Sequence, residues 1–191
     1  MVFPSTNLVF DGSRQNRLAD EPLSPQIEYG RQKAEVERAL AQWPGQVAIV
    51  RLTKVVHSRW ALLRNWLKDL SAGCPVNAFS DYRCSPISLS TVVAGINRVA
   101  VERRAGVWQF SGAADVSYAE LAQQVARLSG AESSLVNATP TPLGLMEHLP
   151  WHTTLDARRA CSELQLVFPE AEKVLNQCLK SISVGQVVDH V

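Results

Sequence analysis

"SPQIEYGRQKAEVERALAQWPGQVAIVRL", residues 24–52, runs from a helical pattern, through a Pro44-Gly45 stop, into a short apolar segment rich in β-branched residues. Ser24-Pro25 offers an N-cap followed by proline in the first helical position, so a helix is predicted from about Pro25 to Gln42. "QVAIVRL", 46–52, fits a strand buried on both faces. Upstream, Val2, Phe3, Leu8, Val9 and Phe10 surround a Pro-Ser-Thr step and read as a buried strand entering a loop that turns at Asp11-Gly12. Strand, helix, strand in this order implies a parallel α/β unit.

The same reading extends along the chain. "SRWALLRNWLKDL", 58–70, places Trp60, Leu63, Trp66, Leu67 and Leu70 on one helical face. A helix packed on a core explains that stripe, and a partner-binding or membrane-surface helix would show it too. "PVNAF" and "GVWQFSG" read as short strands, with "SPISLSTVVAGINRVAVERR" between them as a helix opened by Ser85-Pro86. "VSYAELAQQVARLSG", 116–130, is a helix with Gly130 as its C-cap, and "PEAEKVLNQCLKSI" is the last helix. The three prolines between Thr139 and His152 mark an irregular loop.

A chain of 191 residues with 46% hydrophobic and 19% charged residues can bury one sizeable core. Its 19 Lys+Arg against 18 Asp+Glu are scattered rather than massed in a stripe, which argues against a nucleic-acid partner. No apolar run reaches membrane-spanning length and no charged n-region leads an apolar stretch, so a cytoplasmic location is expected. Cys74, Cys84, Cys161 and Cys178 lack C-x-x-C spacing and read as reduced thiols in or near the core, with no metal site. His148 and His152 are separated by Pro150, which breaks any helix that would bring both to one metal. His57 and His190 have no nameable partner.

Tyr29 and Lys33 lie four apart, on one helical face. A phenol, with pKa ~10, is a poor acid or base near neutrality, but a neighbouring ammonium favours the phenolate and could equip Tyr29 to exchange a proton with a carbonyl oxygen. The spacing alone also describes many ordinary half-buried helices.

"STNLVFDG" at 5–12, "SPQIEYGRQK" at 24–33 and "VAIVRLTKV" at 47–55, in this order, resemble the extended short-chain dehydrogenase/reductase family, and within it the dTDP-4-dehydrorhamnose reductase-like sugar-nucleotide reductases. Weaker likenesses continue through "GVWQFSGAADVSYAELAQQVA" and "HTTLDARRA". The resemblance implies an α/β fold: part of a Rossmann-like parallel sheet with a small substrate-binding subdomain. Residues 1–55 would be the remnant of the NAD(P)-binding domain, and 56–191 mainly the substrate-binding region, interleaved with returning sheet elements. It implies Thr6 as the hydroxyl bonding the substrate carbonyl, Tyr29 as proton donor, and Lys33 as the group that lowers the Tyr29 pKa and holds the nicotinamide ribose of NADP or NAD. Asn7 and Lys54 join Thr6 as implied substrate contacts. They stand where the family usually has Asp and an aromatic residue, so they bear on which nucleotide sugar is taken.

No glycines follow the G-x-G-x-x-G or G-x-x-G-x-x-G pattern that lets a dinucleotide's pyrophosphate approach the backbone. The resemblance therefore implies a chain that starts at about the fifth strand of the sheet, lacks roughly the first hundred residues of the complete fold and is inactive alone. A truncated product or a late-assigned start would produce the same sequence. An uncovered parallel edge would invite self-association or a partner chain. The alternative function is that of a regulatory or docking protein related to the regulatory subunit of methionine adenosyltransferase.

Overall fold

The computed structural model describes residues 1–146 and 149–188. Its strands are β1 (Val2–Thr6), β2 (Ala48–Leu52), β3 (Lys54–Val56), β4 (Val76–Phe79), β5 (Arg83–Cys84), β6 (Pro86–Ser88), β7 (Gly106–Phe110), β8 (Val116–Ser117) and β9 (Val136–Thr139). Its α-helices are α1 (Glu28–Ala41), α2 (Ala61–Ser71), α3 (Leu89–Val101), α4 (Tyr118–Ser129), α5 (Leu143–Met146), α6 (Arg158–Glu163) and α7 (Ala171–Val188).

The main sheet is parallel, in the order β1-β2-β7, with Thr6 opposite Leu52 and Leu52 opposite Phe110. Side chains alternate across a strand. Ala48 and Val50 therefore join Trp108 and Phe110 on one face, under Val92 and Val99 of α3 and Ala160 and Leu164 at α6. Gly95 lets α3 approach, since a Cβ there would stand 2.5 Å from the Phe110 ring. The intervening residues Arg51 and Gln109 point to the opposite face, where Arg51 meets Glu37 of α1. Thr53 leaves the sheet, and the chain continues as β3, which pairs in parallel with β6.

A second core lies beyond this extension. Leu63, Trp66 and Leu70 of α2 pack with Leu121 and Val125 of α4, Val174 and Leu175 of α7, and Val76 of β4. The stripe predicted on residues 58–70 is thus core-facing. Strands β4 and β9 pair in parallel, and β5 and β8 antiparallel. Ser117 and Glu120 close a reciprocal capping box on α4, and Gly130 ends it at φ 77°, the left-handed conformation glycine adopts without a Cβ penalty.

The α/β class and the parallel strand–helix–strand unit at 2–52 hold. Two helix starts do not. Helix α1 begins at Glu28 with Ile27 at the N-cap, because Ser24 is engaged elsewhere: its N–H donates to Val9 O (2.9 Å) and its hydroxyl accepts from Asp11 N–H (3.2 Å). Pro86 opens β6 rather than a helix, and Ser88 caps α3 by accepting from Thr91 N–H at 3.1 Å. All four thiols are free, but only Cys84 and Cys178 are buried; Cys74 and Cys161 lie on exposed helix-end and surface positions. The loop expected at 139–152 contains the end of β9 and the short α5. His148 and His190 lie outside the described residues. His57 does have a partner, its Nδ1 accepting from Arg59 N–H at 3.2 Å.

Candidate active site

Parallel sheets present their chemistry beyond the carboxyl ends of the strands. Thr6 is the last residue of β1 and is buried. Its Oγ1 accepts from Leu8 N–H at 3.2 Å and caps a one-turn 3-10 segment, Asn7–Val9. With that bond accepted, the hydroxyl proton remains available to donate. Asn7 is half-buried, and its carbonyl accepts from Phe10 N–H at 3.1 Å, closing the turn.

Helix α1 lies directly on this turn. A Cβ at Gly30 would sit 2.1 Å from Leu8 O, so only glycine permits the approach. Tyr29, the preceding residue, is 50% exposed. One turn on, Lys33 Nζ donates to Pro4 O at 3.0 Å and stands 4.7 Å over the Phe3 ring and 5.9 Å from the Tyr29 ring. Thr6, Tyr29 and Lys33 therefore gather around the end of β1. Lys54 does not sit in that group. It opens β3, donates its N–H to Ser85 O (3.1 Å), and places its ammonium 4.6 Å over the Trp60 ring. Trp60 is itself set edge-on to Trp66 and Tyr118.

Residues that sequence reasoning missed hold this arrangement. Glu37, four residues after Lys33 and buried, accepts from Ser5 Oγ at 2.5 Å and from Arg51 Nη2 at 2.7 Å. Arg51 Nη1 also donates to Gln109 Oε1 (3.3 Å) and Ala19 O (3.0 Å), and Gln109 Nε2 donates to Arg17 O (2.8 Å) and Asp156 O (3.0 Å). Lys33 and Glu37 thus pin α1 to β1 at successive residues, Pro4 and Ser5. An arginine within an apolar strand and a glutamate on the inner helix face were the available signals.

Asp115 supplies a second anchor. Its fully buried carboxylate accepts from Thr153 N–H (2.8 Å), Thr153 Oγ1 (2.7 Å) and Thr154 N–H (3.1 Å), and lies 3.2 Å from His152 Nδ1. His152 N–H donates to Gly12 O at 3.0 Å. The loops after β1 and β7 are thereby bound to residues 150–156. Nearby Cys84 is no nucleophile at neutral pH, since burial above all, reinforced by Asp115, pushes its thiol up to about 12.

A cavity of about 560 Å³ opens at the ends of β3 and β6, between α3 and α7, lined by His57, Asn97, Gln177 and several serines, Ser58 and Ser88 among them, together with apolar residues. Without a lysine or arginine in its lining, it suits a neutral polar group better than a phosphate. The glycines do not supply a diphosphate cradle either. A Cβ at Gly12 would meet Pro150 Cβ at 2.2 Å, and one at Gly112 would meet Pro86 O at 2.4 Å, so the space at both turns is already filled by the chain itself. Among the described residues, the glycine turns thus offer no room for a pyrophosphate.

Comparison with protein families matches residues 1–184 to the RmlD substrate binding domain. The chain belongs to this family, whose Rossmann-like fold is that of the extended short-chain dehydrogenases/reductases. Among solved structures it is similar to a dTDP-4-dehydrorhamnose reductase from Clostridium acetobutylicum, with TM-score 0.81 and 19% identity over 95% of this chain and 65% of that one. It is also similar to the dTDP-4-dehydrorhamnose reductase of Bacillus anthracis solved with NADP (TM-score 0.79, 18% identity, 94% and 64% covered). A hypothetical dTDP-4-dehydrorhamnose reductase from Sulfolobus tokodaii gives TM-score 0.73 at 25% identity, with 88% and 59% covered. The chain spans less than two thirds of each of these proteins. The search of curated proteins returned no match. Among the described residues, no helix is long and apolar enough to cross a membrane, and no cluster of metal-ligating side chains occurs.

Proposed function

We propose that this chain is the catalytic and substrate-binding portion of a cytoplasmic NAD(P)-dependent reductase of nucleotide-linked 4-keto sugars. Residues 1–55 carry the catalytic groups, and 56–191 mainly hold substrate, with α3 and β7 returning to the sheet. One observation carries the reading: Gly30 seats the Tyr29 helix on the turn that Thr6 caps, while Lys33 reaches back to Pro4. In this arrangement Thr6 Oγ1 donates to the substrate carbonyl oxygen and Tyr29 delivers the proton that completes the alcohol. The hydride is chemistry supplied by the nicotinamide when bound. Lys33, with one of its three N–H donors on Pro4, retains two for the nicotinamide ribose. Asn7 borders the sugar, and Lys54 meets an anionic group of the substrate.

Because the diphosphate cradle is lacking, the 191-residue chain is expected to bind a dTDP-sugar but not to oxidise NADPH. Saturation-transfer NMR with dTDP-sugars, run beside an NADPH absorbance assay with the 4-keto substrate, checks both halves. NADPH turnover would overturn the inactivity, and failure to bind any nucleotide sugar would overturn the substrate class. In a form that turns over, Tyr29→Phe lowers kcat by about 100-fold or more.

The outward face of α1 favours a second reading as a regulatory or docking protein, since Tyr29 and Val36 are exposed on it and Trp43 is exposed just beyond its C-terminal end. Under that reading Tyr29→Phe leaves partner affinity intact.

A further inference from the structure

Trp151 stands beside the loop that follows β1, and its side chain is 59% exposed. It has no ring partner among the described residues, whereas Trp60 and Trp66 are set edge-on to each other and Trp108 lies under the Arg159 guanidinium. The backbone on either side of it is fixed. Pro150 packs on Gly12, and His152 donates its N–H to Gly12 O at 3.0 Å while its Nδ1 lies 3.2 Å from the Asp115 carboxylate. Leaving so large a ring in water forgoes its burial energy, and with its flanks pinned a ligand that covers it has no loop to order.

Trp151 shares a recess with Asp81, Thr141, Leu149 and Pro150. Asp81 Oδ1 accepts from Thr141 N–H (2.8 Å) and from Thr141 Oγ1 (2.6 Å). Hydrogen bonding from the Thr141 side chain holds this carboxyl below the usual carboxylate range, so it is ionised at neutral pH. A phosphate here would meet like charge. A neutral planar ring with an N–H at its edge would gain a charged acceptor there and an indole against its face. Tyr82, next in sequence to Asp81, is stacked on Tyr118 at 4.6 Å. Tyr118 stands edge-on to Trp60, over which the Lys54 ammonium lies at 4.6 Å. This row of rings thus has a carboxylate at one end, suited to a base, and an ammonium at the other, suited to an anionic group.

We infer that Trp151 is the stacking platform for the base of the nucleotide sugar, with Asp81 accepting from a ring N–H of that base. The inference rests on the nucleotide-sugar reading above and adds which part of the substrate the 150–152 loop holds.

Calorimetric titration of the 191-residue chain with dTDP, beside saturation-transfer NMR on the same ligand, tests this. In the native chain the thymine protons should receive the strongest transfer. Trp151→Ala should weaken dTDP binding about tenfold or more, as expected for one base stacked on an aromatic ring, and should abolish the preference for the thymine protons; Trp151→Tyr should keep most of both. The side chain is exposed, so neither variant removes core packing. Unchanged dTDP affinity in Trp151→Ala would overturn the inference while the nucleotide-sugar reading stands. Weaker binding with transfer still strongest at the thymine would mean that the ring supports the loop rather than the base, and would overturn it too. A native chain that binds neither dTDP nor any nucleotide sugar would overturn both the inference and the reading beneath it.

Discussion

The two faces of the β1-β2-β7 sheet are buried by opposite means. Under α3 and α6, Val50, Trp108 and Phe110 meet Val92, Val99 and Leu164 in a mainly apolar layer, with Arg98 donating to Leu164 O and Arg159 over the Trp108 ring at its margin. Under α1, Ser5, Arg51 and Gln109 meet Glu37 in a buried hydrogen-bonded network. Apolar contact is non-directional, and on this face it leaves α3 with one directional tie, from Arg98 to Leu164 O near its end. Hydrogen bonds have angles as well as distances, so α1 has one seat. The helix held by directional bonds is the one that carries Tyr29 and Lys33.

That contrast can be broken most forcefully at Glu37. Glu37→Ala leaves the Arg51 guanidinium buried and unpaired, and should cost ~3–5 kcal/mol in urea unfolding. The double replacement Glu37→Met/Arg51→Leu should recover most of that loss, because apolar residues of similar volume often replace a buried ion pair at no net cost. If the double variant is as unstable as the single one, the network is not what distinguishes this face.

On the apolar face the sharpest probe is overpacking. Gly95→Ala drives a methyl into the Phe110 ring and should destabilise by ~1–3 kcal/mol in the same assay, with the Tyr29–Lys33 geometry unchanged by NMR. Altered chemical shifts at Tyr29 would mean that the two faces are coupled.

The smallest effect expected is on acid titration of the network's rim. Hydrogen bonding from Arg158 holds the Asp156 carboxyl below the usual carboxylate range. A depressed folded pKa stabilises above the unfolded value, near 4, and is lost as pH falls through the folded one. Arg158 is largely solvated, so Asp156→Asn should flatten the acid limb of the stability curve only slightly, as read from thermal melts between pH 2 and 5.

Much of the layout was legible from local pattern. The β-branched run at 46–52, the Leu63/Trp66/Leu70 stripe and the Gly130 stop each encode their element within one or two turns of chain. Tyr29 and Lys33 were legible as a pair for the same reason, being one helical turn apart. The Ser24 and Ser85-Pro86 helix starts misled because a cap is a local preference worth about 1 kcal/mol, and tertiary bonds outweighed it. Ser24 is held by Val9 and Asp11, and Pro86 by the ladder to Lys54.

What the sequence alone determined is therefore the larger helices and the strands of the main sheet, the parallel α/β class and the placing of Tyr29 and Lys33 one turn apart on a helix. The tertiary structure decided which groups meet across long separations: Glu37 with Ser5 and Arg51, Asp115 with Thr153 and Thr154, and Lys33 with Pro4. Periodicity reports which face of an element is buried but not what it is buried against. A charged residue inside an apolar run discloses its partner only when the chain has folded back on itself.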